Sequence, residues 1–264
     1  FIGGGNMASA IIGGLIHQGH PASQIEVVEP WAEAREALRK NYGIEAQAEA
    51  GPALQRAQIV VWAVKPQTFR DAAAQAKAHT QGALHLSVAA GIRSDSIAQW
   101  LATERIVRTM PNTPALVGKG MSALYARPAV SAPERQSIEA IMATTGEFLW
   151  VDSEPQLDAV TALSGSGPAY VFYFLEAMTR AGTGMGLTEQ QAHQLAVGTF
   201  VGASELARRS DDPPSVLRQR VTSKGGTTYA ALQSMEAAGV AASFEAAMRA
   251  AQHRAHELGD EFGA

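Results

Sequence analysis

The sequence Phe1-Ile2-Gly3-Gly4-Gly5-Asn6-Met7-Ala8 places two apolar residues directly before the pattern Gly-x-Gly-x-x-Ala. This pattern is typical of a strand that turns tightly into a helix whose free backbone N–H groups receive a pyrophosphate. Gly3 permits the sharp turn, Gly5 lets a phosphate approach the backbone, and Ala8 lets the helix pack closely on the strand. We therefore predict a dinucleotide-binding turn here, and a purely structural glycine turn is the alternative.

A second candidate strand supports this prediction. Residues 24–28 read Gln-Ile-Glu-Val-Val and end at an acid, Glu29. In dinucleotide sites of this type, an acidic residue that follows the second strand accepts hydrogen bonds from the ribose. We expect Glu29 to take that place.

The first half of the chain alternates short β-rich runs with helical patterns, which is typical of an α/β fold with a parallel sheet buried on both faces. After residue 151 the strand patterns stop, and only helices separated by glycine or proline are predicted. We therefore predict an α/β Rossmann-like amino-terminal domain over residues 1–152 and an all-α carboxyl-terminal domain over residues 153–264. The predicted strands are 25–28, 58–64, 83–88, 105–109, 121–126 and 147–151. The predicted helices of the first domain are 31–41, 67–79, 94–101 and 133–145.

Composition excludes several classes of function. A formal net charge of −4 gives no electrostatic basis for binding nucleic acid or an anionic membrane. The absence of cysteine rules out disulfides, thiolate catalysis and cysteine-based zinc sites, and it fits a cytoplasmic location. The seven histidines show no metal-binding spacing, so we expect no metal. No apolar run is long enough to cross a bilayer.

Two further segments follow predicted strands of the first domain. Ala63-Val64-Lys65-Pro66 comes directly after a continuous apolar run, and the carboxyl ends of such strands line the ligand crevice of a doubly wound sheet. Lys65 is therefore predicted to face the cofactor or substrate, and a solvated lysine beside a helix-starting proline is the alternative. Val88, Ala89 and Ala90 are small enough to let a nicotinamide ribose approach the backbone.

The helical half contains one segment suited to binding an anion. Ser223 and Lys224 precede Gly225-Gly226-Thr227-Thr228 at a predicted helix start, where backbone N–H groups and hydroxyls converge on one carboxylate. Ordinary capping of the helix by Thr227 is the alternative.

Taken in order along the chain, these motifs resemble the Δ1-pyrroline-5-carboxylate reductase family. The resemblance extends over essentially the whole chain, and its six segments are residues 1–8, 63–67, 89–91, 108–115, 163–170 and 221–228. It implies a Rossmann domain followed by a helical domain through which subunits form homodimers, often further assembled into decamers. It also implies an enzyme that transfers hydride from NADP or NAD, in reduced form, to the C=N bond of pyrroline-5-carboxylate, giving proline.

The resemblance also implies roles for individual residues. Thr228 matches the threonine whose hydroxyl reaches the ring nitrogen of the substrate, and Glu154 falls near a position that touches the proline amine. The substrate carboxylate would be held by Ser223, Gly225, Gly226, Thr227 and Thr228. The dinucleotide would be held by Ile2, Gly3, Gly4, Gly5, Asn6, Met7, Ala8, Glu29, Ala63, Val64, Lys65, Pro66, Val88, Ala89 and Ala90.

This chain departs from the family pattern at two positions. Lys224 stands where a proline is usual, which strengthens the attraction for anions. Glu29 stands where NADP-using members tend to carry a small polar residue, and its carboxylate should repel the 2′-phosphate of NADPH. Arg35 and Arg39 on the next helix are positioned to offset that repulsion. We therefore predict that NADH is at least competitive with NADPH.

Two alternative functions stay open at this point. One is a related two-domain enzyme, either another imine reductase or a β-hydroxyacid dehydrogenase. Such enzymes usually place a lysine or aspartate acid in the helical domain, where this chain carries the turn of residues 223–228. The other is a non-catalytic relative that only binds a dinucleotide. Such a protein would be expected to lose the second glycine turn, and this chain keeps it.

Overall fold

A computed structural model describes residues 1–263. The chain forms two compact units, which we call the sheet unit and the helical unit. The sheet unit comprises Phe1–Pro168 together with the end of the last helix from Ala250 onward, and the helical unit is Ala169–Arg249.

The sheet unit alternates strands with helices, as predicted. Its five strands are β1 (Ile59–Trp62), β2 (Leu84–Ser87), β3 (Ile106–Met110), β4 (Gly120–Ala126) and β5 (Gly146–Trp150). Its helices are α1 (Asn6–His17), α2 (Ala32–Tyr42), α3 (Pro66–Ala76), α4 (Ser94–Leu101), α5 (Ala132–Met142) and α6 (Gln156–Val160), followed by a π-helical turn (Thr161–Gly165). The remaining helices are α7 (Gly167–Gly184), α8 (Glu189–Arg209), α9 (Pro214–Arg220), α10 (Thr227–Ala237) and α11 (Val240–Phe262).

The sheet has the order β1-β2-β3-β4-β5. Strand β4 runs antiparallel to β3, whereas the other neighbouring pairs are parallel. The predicted parallel sheet is therefore present, with one antiparallel pair where β4 meets β3. The reason lies in the connection: β3 and β4 are joined by the short segment 111–119 with one 3₁₀ turn, which lacks a helix long enough to carry the chain back across the sheet.

Single bridges extend the sheet beyond β1. Ile2 pairs in parallel with Trp62 on one side and with Val28 on the other, and Val28 pairs in turn with Gln47. A strand was predicted over residues 25–28, but only its last residue, Val28, pairs with neighbouring chain segments, through single bridges. Because the chain leaves Ile2 toward Val28 and later returns to the other side at Trp62, the point where the strand order reverses lies beside Ile2.

The sheet unit has a well-developed apolar core. The continuous apolar run of β1 is buried on both faces of the sheet, as expected for a strand covered by helices on both sides. Trp62 is fully buried and stacks on Phe69 of α3, with ring centroids 5.0 Å apart. The Trp62 indole N–H donates to Nδ1 of His85 in β2 over 3.0 Å.

His85 is a buried neutral histidine within this core. Burial lowers its pKa from 6.5 to about 4, and the positive charge of Arg105 acts in the same direction, whereas a hydrogen bond to the backbone of Thr80 opposes the change. Its imidazole completes the hydrogen bonding of Trp62, so the pair behaves as part of the packed core.

The helical unit has a different character. Its longest helix, α8, begins with a capping box in which Thr188 and Gln191 satisfy each other's backbone N–H groups. Edge-to-face ring contacts join Tyr170 and Phe174 to Phe244. Within Ala169–Arg249, all of which the structure describes, the buried residues are Gly182, Ala192 and Ala196.

The division between the units differs from the domain boundary predicted near residue 152. The change from strands to helices does follow β5, but α6 and the π-helical turn pack with the sheet unit, as does the end of α11. Glu154 contributes to this packing, since it pairs with Arg108 of β3. A boundary read from the loss of strand pattern cannot include such long-range packing.

Candidate functional site

The turn between Ile2 and α1 has the geometry of a phosphate-binding turn. Gly3 has φ = +94°, and a Cβ at this position would collide with the carbonyl oxygen of Ala63. Gly5 is exposed, and a Cβ there would meet no described atom within 4 Å. Gly5 is also the N-cap of α1 and provides no side-chain cap, so the N–H groups of the first turn point toward open space. A diphosphate therefore fits this helix start.

Residues 63–66 lie beside this turn. The N–H of Ala63 donates to the carbonyl of Ile2 over 2.8 Å, which places this segment next to the reversal point of the strand order. Pro66 is the first residue of α3, and Lys65 is its exposed N-cap. The lysine thus lies at the edge of the crevice and can reach an anion there.

The loop that follows β2 continues the same edge. The N–H of Val88 donates to the carbonyl of Trp62 over 3.1 Å, and the N–H of Ala89 lies 3.3 Å from the hydroxyl oxygen of Ser87. Ala89 is buried, whereas Val88 and Ala90 are partly exposed. The three segments predicted to hold the dinucleotide therefore follow neighbouring strand positions of one sheet.

Glu29 is placed differently from an open ribose-binding acid. Its side chain is only 7% exposed. One carboxylate oxygen accepts the N–H of Gly4 over 2.7 Å, and the other accepts the N–H of Trp31 over 2.9 Å. Glu29 therefore connects the glycine turn to the start of α2 through its two carboxylate oxygens.

The two arginines of α2 have different partners. The Arg35 guanidinium donates to the carbonyl oxygens of Glu29 and Pro30, at 2.9 and 2.8 Å. Arg39 instead pairs with Glu36 on the exposed face of the helix, at 2.6 Å. Of the two cations, Arg35 lies next to Glu29, and its charge acts against that of the carboxylate.

The second glycine turn lies in the helical unit. Helix α10 begins at Thr227, its N-cap is Gly226, and no described side chain caps it. Ordinary capping by Thr227, the alternative considered above, is therefore absent. Gly225 has φ = +74°, and the N–H of Gly226 donates to the carbonyl of Ser223 over 3.0 Å. The first N–H groups of α10 thus stay available beside the hydroxyl of the half-buried Thr228.

Glu154 belongs to the sheet unit, and both of its carboxylate oxygens are engaged there. Oε1 accepts from Arg108 over 2.7 Å and from the N–H of Ser94 over 2.5 Å, and Oε2 accepts from the Ser94 hydroxyl over 2.5 Å. Glu154, which the resemblance placed near the substrate amine, is thus held by two residues of its own unit. Burial raises the pKa of nearby Asp158, whereas the charge of Arg108 opposes that rise.

Sequence reasoning missed Ser94 as a functional partner. Ser94 is separated from Glu154 by 60 positions, and a serine at a helix start has an adequate local explanation as a cap. No pattern in the sequence connects the two residues.

The rigid loop after β3 also takes part in this edge. The side-chain amide of Asn112 donates to the carbonyl of Ser164 over 3.1 Å, and its oxygen accepts the N–H of Met121 over 2.9 Å. A Cβ at Gly165 would lie 2.5 Å from the methyl carbon of Met110. The segment around Gly165 therefore packs closely against the end of β3.

Two global features of the described residues bear on function. No group of three or more acidic or histidine side chains among them is arranged to hold a metal ion. None of the helices in residues 1–263 has the length and apolar character that a membrane span requires.

Family models match both halves of the chain. A model for the pyrroline-5-carboxylate reductase dimerisation domain matches residues 154–258. A model described as NADP oxidoreductase, coenzyme F420-dependent, matches residues 1–91.

Individual relatives match nearly the full length. A pyrroline-5-carboxylate reductase from Pseudomonas aeruginosa is 44% identical, over 100% of this chain and 97% of its own. The solved structure of such an enzyme from Coxiella burnetii superposes with a TM-score of 0.90 at 37% identity, covering 98% of this chain and 97% of that one. A Plasmodium falciparum pyrroline carboxylate reductase with NADP bound gives a TM-score of 0.88 at 27% identity, with the same coverage.

These matches confirm the Rossmann-like first domain, the helical second domain and the resemblance drawn from the six motifs. They also confirm the prediction of an enzyme that uses NAD(P). The chain belongs to the pyrroline-5-carboxylate reductase family of NAD(P)-dependent oxidoreductases.

Proposed function

We propose that this chain reduces the C=N bond of Δ1-pyrroline-5-carboxylate to give L-proline. The observation that carries this proposal is the start of α10, where Gly226 stands at the N-cap and no described side chain makes a capping hydrogen bond. A small carboxylate fits that helix start as an anion. The first glycine turn alone fits any dinucleotide enzyme, whereas the second one favours a substrate with a carboxylate close to its reacting atom.

The coenzyme is proposed to lie along the edge formed by residues 2–8, 63–66 and 88–90. The pyrophosphate is held by the N–H groups at the start of α1, and the small side chains of Ala89 and Ala90 leave room for the nicotinamide ribose. When bound, NADH or NADPH supplies the hydride that the C=N carbon accepts. The protein residues bind and orient the two reactants.

The substrate carboxylate is proposed to lie against Ser223 and residues 225–228, with Lys224 adding a positive charge. Thr228 then orients the ring nitrogen through its hydroxyl. A free threonine hydroxyl is a poor acid, so we assign Thr228 orientation first, with the proton supplied by the iminium form of the substrate or by water. Strong acid–base groups are not required for hydride addition to an already electrophilic carbon.

We infer that the chain forms a homodimer through the helical domain predicted over residues 153–264, with dimers able to assemble into decamers. The helical unit supports this inference, because its large apolar side chains are exposed in a single chain. Among them are Phe172, Tyr173, Met185, Leu195, Val201 and Leu206. A family whose matching model is a dimerisation domain is expected to cover these side chains with a second copy. We infer a cytoplasmic location from the absence of cysteine.

The coenzyme preference depends on the charges near Glu29. Because its carboxylate lies buried beneath the predicted ribose site, it disfavours a 2′-phosphate there, and Arg35 reduces that effect. We infer that NADH is at least competitive with NADPH. Steady-state kinetics with both coenzymes test this inference, and a kcat/KM for NADPH more than ten times that for NADH would contradict it.

One assay tests the reaction itself. Oxidation of NADH or NADPH is followed at 340 nm with pyrroline-5-carboxylate, first with the unmodified protein and then with Thr228→Ala. We expect turnover by the unmodified protein and a loss of at least tenfold in the variant. Thr222→Ala is the matched control, because the Thr222 hydroxyl already donates to the carbonyl of Arg218 over 2.6 Å. Absence of turnover in the unmodified protein contradicts the proposed reaction, and undiminished turnover in Thr228→Ala removes that residue from its role.

A further inference from the structure

Helix α4 begins without a local cap, and a distant carboxylate takes that place. Its N-cap residue, Arg93, makes no side-chain cap, and the first helical N–H, that of Ser94, donates to Oε1 of Glu154 over 2.5 Å. The Ser94 hydroxyl donates to Oε2 of the same carboxylate, also over 2.5 Å. A negative charge at a helix N-terminus is stabilised by the unpaired N–H groups and by the helix dipole. Glu154 thus fixes the start of α4.

The same carboxylate also binds a residue of strand β3. Its Oε1 pairs with the Arg108 guanidinium over 2.7 Å, and the side chains of Arg108 and Glu154 are only 8% and 17% exposed. Arg127 adds a third connection, since it donates to the Ser94 hydroxyl over 3.1 Å. Removing one partner of such a buried pair leaves an uncompensated charge, so this arrangement holds its members firmly.

These contacts lie next to the proposed nicotinamide edge. Only residues 91–93 separate Ala90 from Ser94, so the position of the α4 start determines where the loop of residues 88–90 runs. Two residues after Arg108, strand β3 ends at Met110 and enters the proline-rich loop. Glu154 therefore connects the start of α4, which follows the loop after β2, to strand β3, on the side where the coenzyme is proposed to bind.

The contacts also argue against direct binding of substrate by this residue. A carboxylate has about four lone-pair sites, and three of those of Glu154 are already used by Ser94 and Arg108. A substrate amine would have to use the one remaining lone-pair site of a carboxylate whose side chain is only 17% exposed.

We propose that Glu154 is a positioning residue, which acts through Ser94 and Arg108 to hold the β2 and β3 loops in the geometry that binds the nicotinamide end of the coenzyme. This inference rests on the proposed function only in the place that it gives to the coenzyme. It predicts an effect on coenzyme binding that is present before any substrate is added.

The test measures the dissociation constants of NADH and NADPH without substrate, and then the KM for pyrroline-5-carboxylate at saturating coenzyme. Glu154→Gln keeps the size of the side chain. Its NH₂ group, however, replaces an oxygen that accepts a hydrogen bond, so a donor then faces a donor. We expect both dissociation constants to rise about tenfold while the KM for the imine stays within twofold of the original value. Ser94→Ala removes only the hydroxyl contacts, and we expect a rise of about threefold. This milder variant keeps the test decisive if Glu154→Gln does not fold.

Glu134 provides a matched control at another helix start. It accepts from the N–H and the hydroxyl of Ser131 at the start of α5, both over 2.7 Å, and pairs with Arg105. Its contacts therefore repeat those of Glu154, whereas its partner Arg105 stands just before β3, at the end of that strand opposite Met110. We expect Glu134→Gln to lower the melting temperature and to leave both coenzyme dissociation constants unchanged.

Several results would overturn the inference. One is a tenfold rise in the KM for the imine with unchanged coenzyme binding, as expected of a substrate contact. Another is an equal loss of coenzyme affinity in Glu134→Gln, which would show that reduced stability alone explains the effect. A protein that binds NADPH without reducing the imine would contradict the proposed function, and the comparison of dissociation constants would still decide the role of Glu154.

Discussion

The sheet unit buries Trp62, Phe69 and Ile12 completely, whereas the helical unit buries nothing larger than the methyl groups of Ala192 and Ala196. Burial of a large apolar side chain contributes roughly 1.5–3 kcal/mol, and burial of a methyl group far less. Ordering each residue costs about 1–2 kcal/mol of backbone entropy, so a unit without large buried side chains cannot offset that cost alone. The sheet unit therefore has a core of its own, and the lack of one in the helical unit supports the proposed homodimer.

The largest expected effect tests this dependence on a second chain. Phe172 on α7 is 57% exposed in a single chain. If a partner covers it, Phe172→Asp places a charge in an apolar interface and should weaken association by on the order of 5 kcal/mol. We expect light scattering to show monomers, and circular dichroism to show loss of helix with little change in the sheet unit.

Leu149→Asp is the matched control, because Leu149 is 44% exposed on β5 of the sheet unit. We expect this variant to keep the oligomeric state of the unmodified protein. A Phe172→Asp protein that stays an oligomer with an unchanged melting temperature would remove the proposed contrast between the two units.

The second prediction concerns the turn on which the sheet unit is organised. Gly3→Ala introduces a side chain at φ = +94°, and its Cβ would collide with the carbonyl of Ala63. Backbone strain and overpacking together should lower the free energy of unfolding by about 4 kcal/mol. Urea denaturation measures this loss.

Gly5→Ala separates stability from binding in the same turn. A Cβ at Gly5 would meet no described atom within 4 Å, so the free energy of unfolding should change by no more than about 0.5 kcal/mol. Coenzyme affinity should nevertheless fall, because the methyl group obstructs the approach of a phosphate. Equal destabilisation by the two substitutions would show that the turn is only structural.

Some features of the sheet unit could be predicted from the sequence, and others could not. The elements of the sheet unit were largely predictable, because continuous apolar runs such as Ile59–Trp62 identify buried strands and glycine or proline marks their ends. The antiparallel direction of β4 could not be predicted, since it depends on the short connection that follows β3. The strand predicted at 25–28 was reduced to single bridges, in which Val28 pairs with Ile2 on one side and with Gln47 on the other.

The candidate site also contains features that the local sequence predicts and features that it does not. The backbone geometry of the two glycine turns could be predicted, because the positive φ angles of Gly3 and Gly225 follow from their local sequence context. The contacts of Glu29 and Glu154 could not be predicted, because a carboxylate can accept hydrogen bonds from a ligand or from a buried backbone N–H group equally well. Only the folded chain brings Gly4 and Ser94 to those carboxylates.

A third prediction uses pH to probe the core of the sheet unit. The unfolded chain protonates His85 near pH 6.5, whereas the folded chain does so only near its lowered pKa of about 4. Between these values the unfolded state binds more protons, so the free energy of unfolding should decrease by up to about 3 kcal/mol as the pH falls from 6.5 to 4. Urea denaturation across this range, compared with His85→Gln, isolates the contribution of this histidine. Identical pH slopes in the two proteins would mean that His85 is not buried in its neutral form.

The smallest expected effect concerns the second glycine turn. Gly225 has φ = +74°, and a Cβ there would meet no described atom within 4 Å, so Gly225→Ala adds only the strain of the left-handed conformation, roughly 1 kcal/mol. Gly239, with φ = +65° and equally open surroundings, carries the same strain between α10 and α11 and serves as the control. Both variants should lose similar stability in urea denaturation, but only Gly225→Ala should raise the KM for pyrroline-5-carboxylate, since only that turn is proposed to bind the carboxylate. If Gly239→Ala raises this KM equally, the effect belongs to the looser packing of the helical unit, and the substrate carboxylate must be held elsewhere.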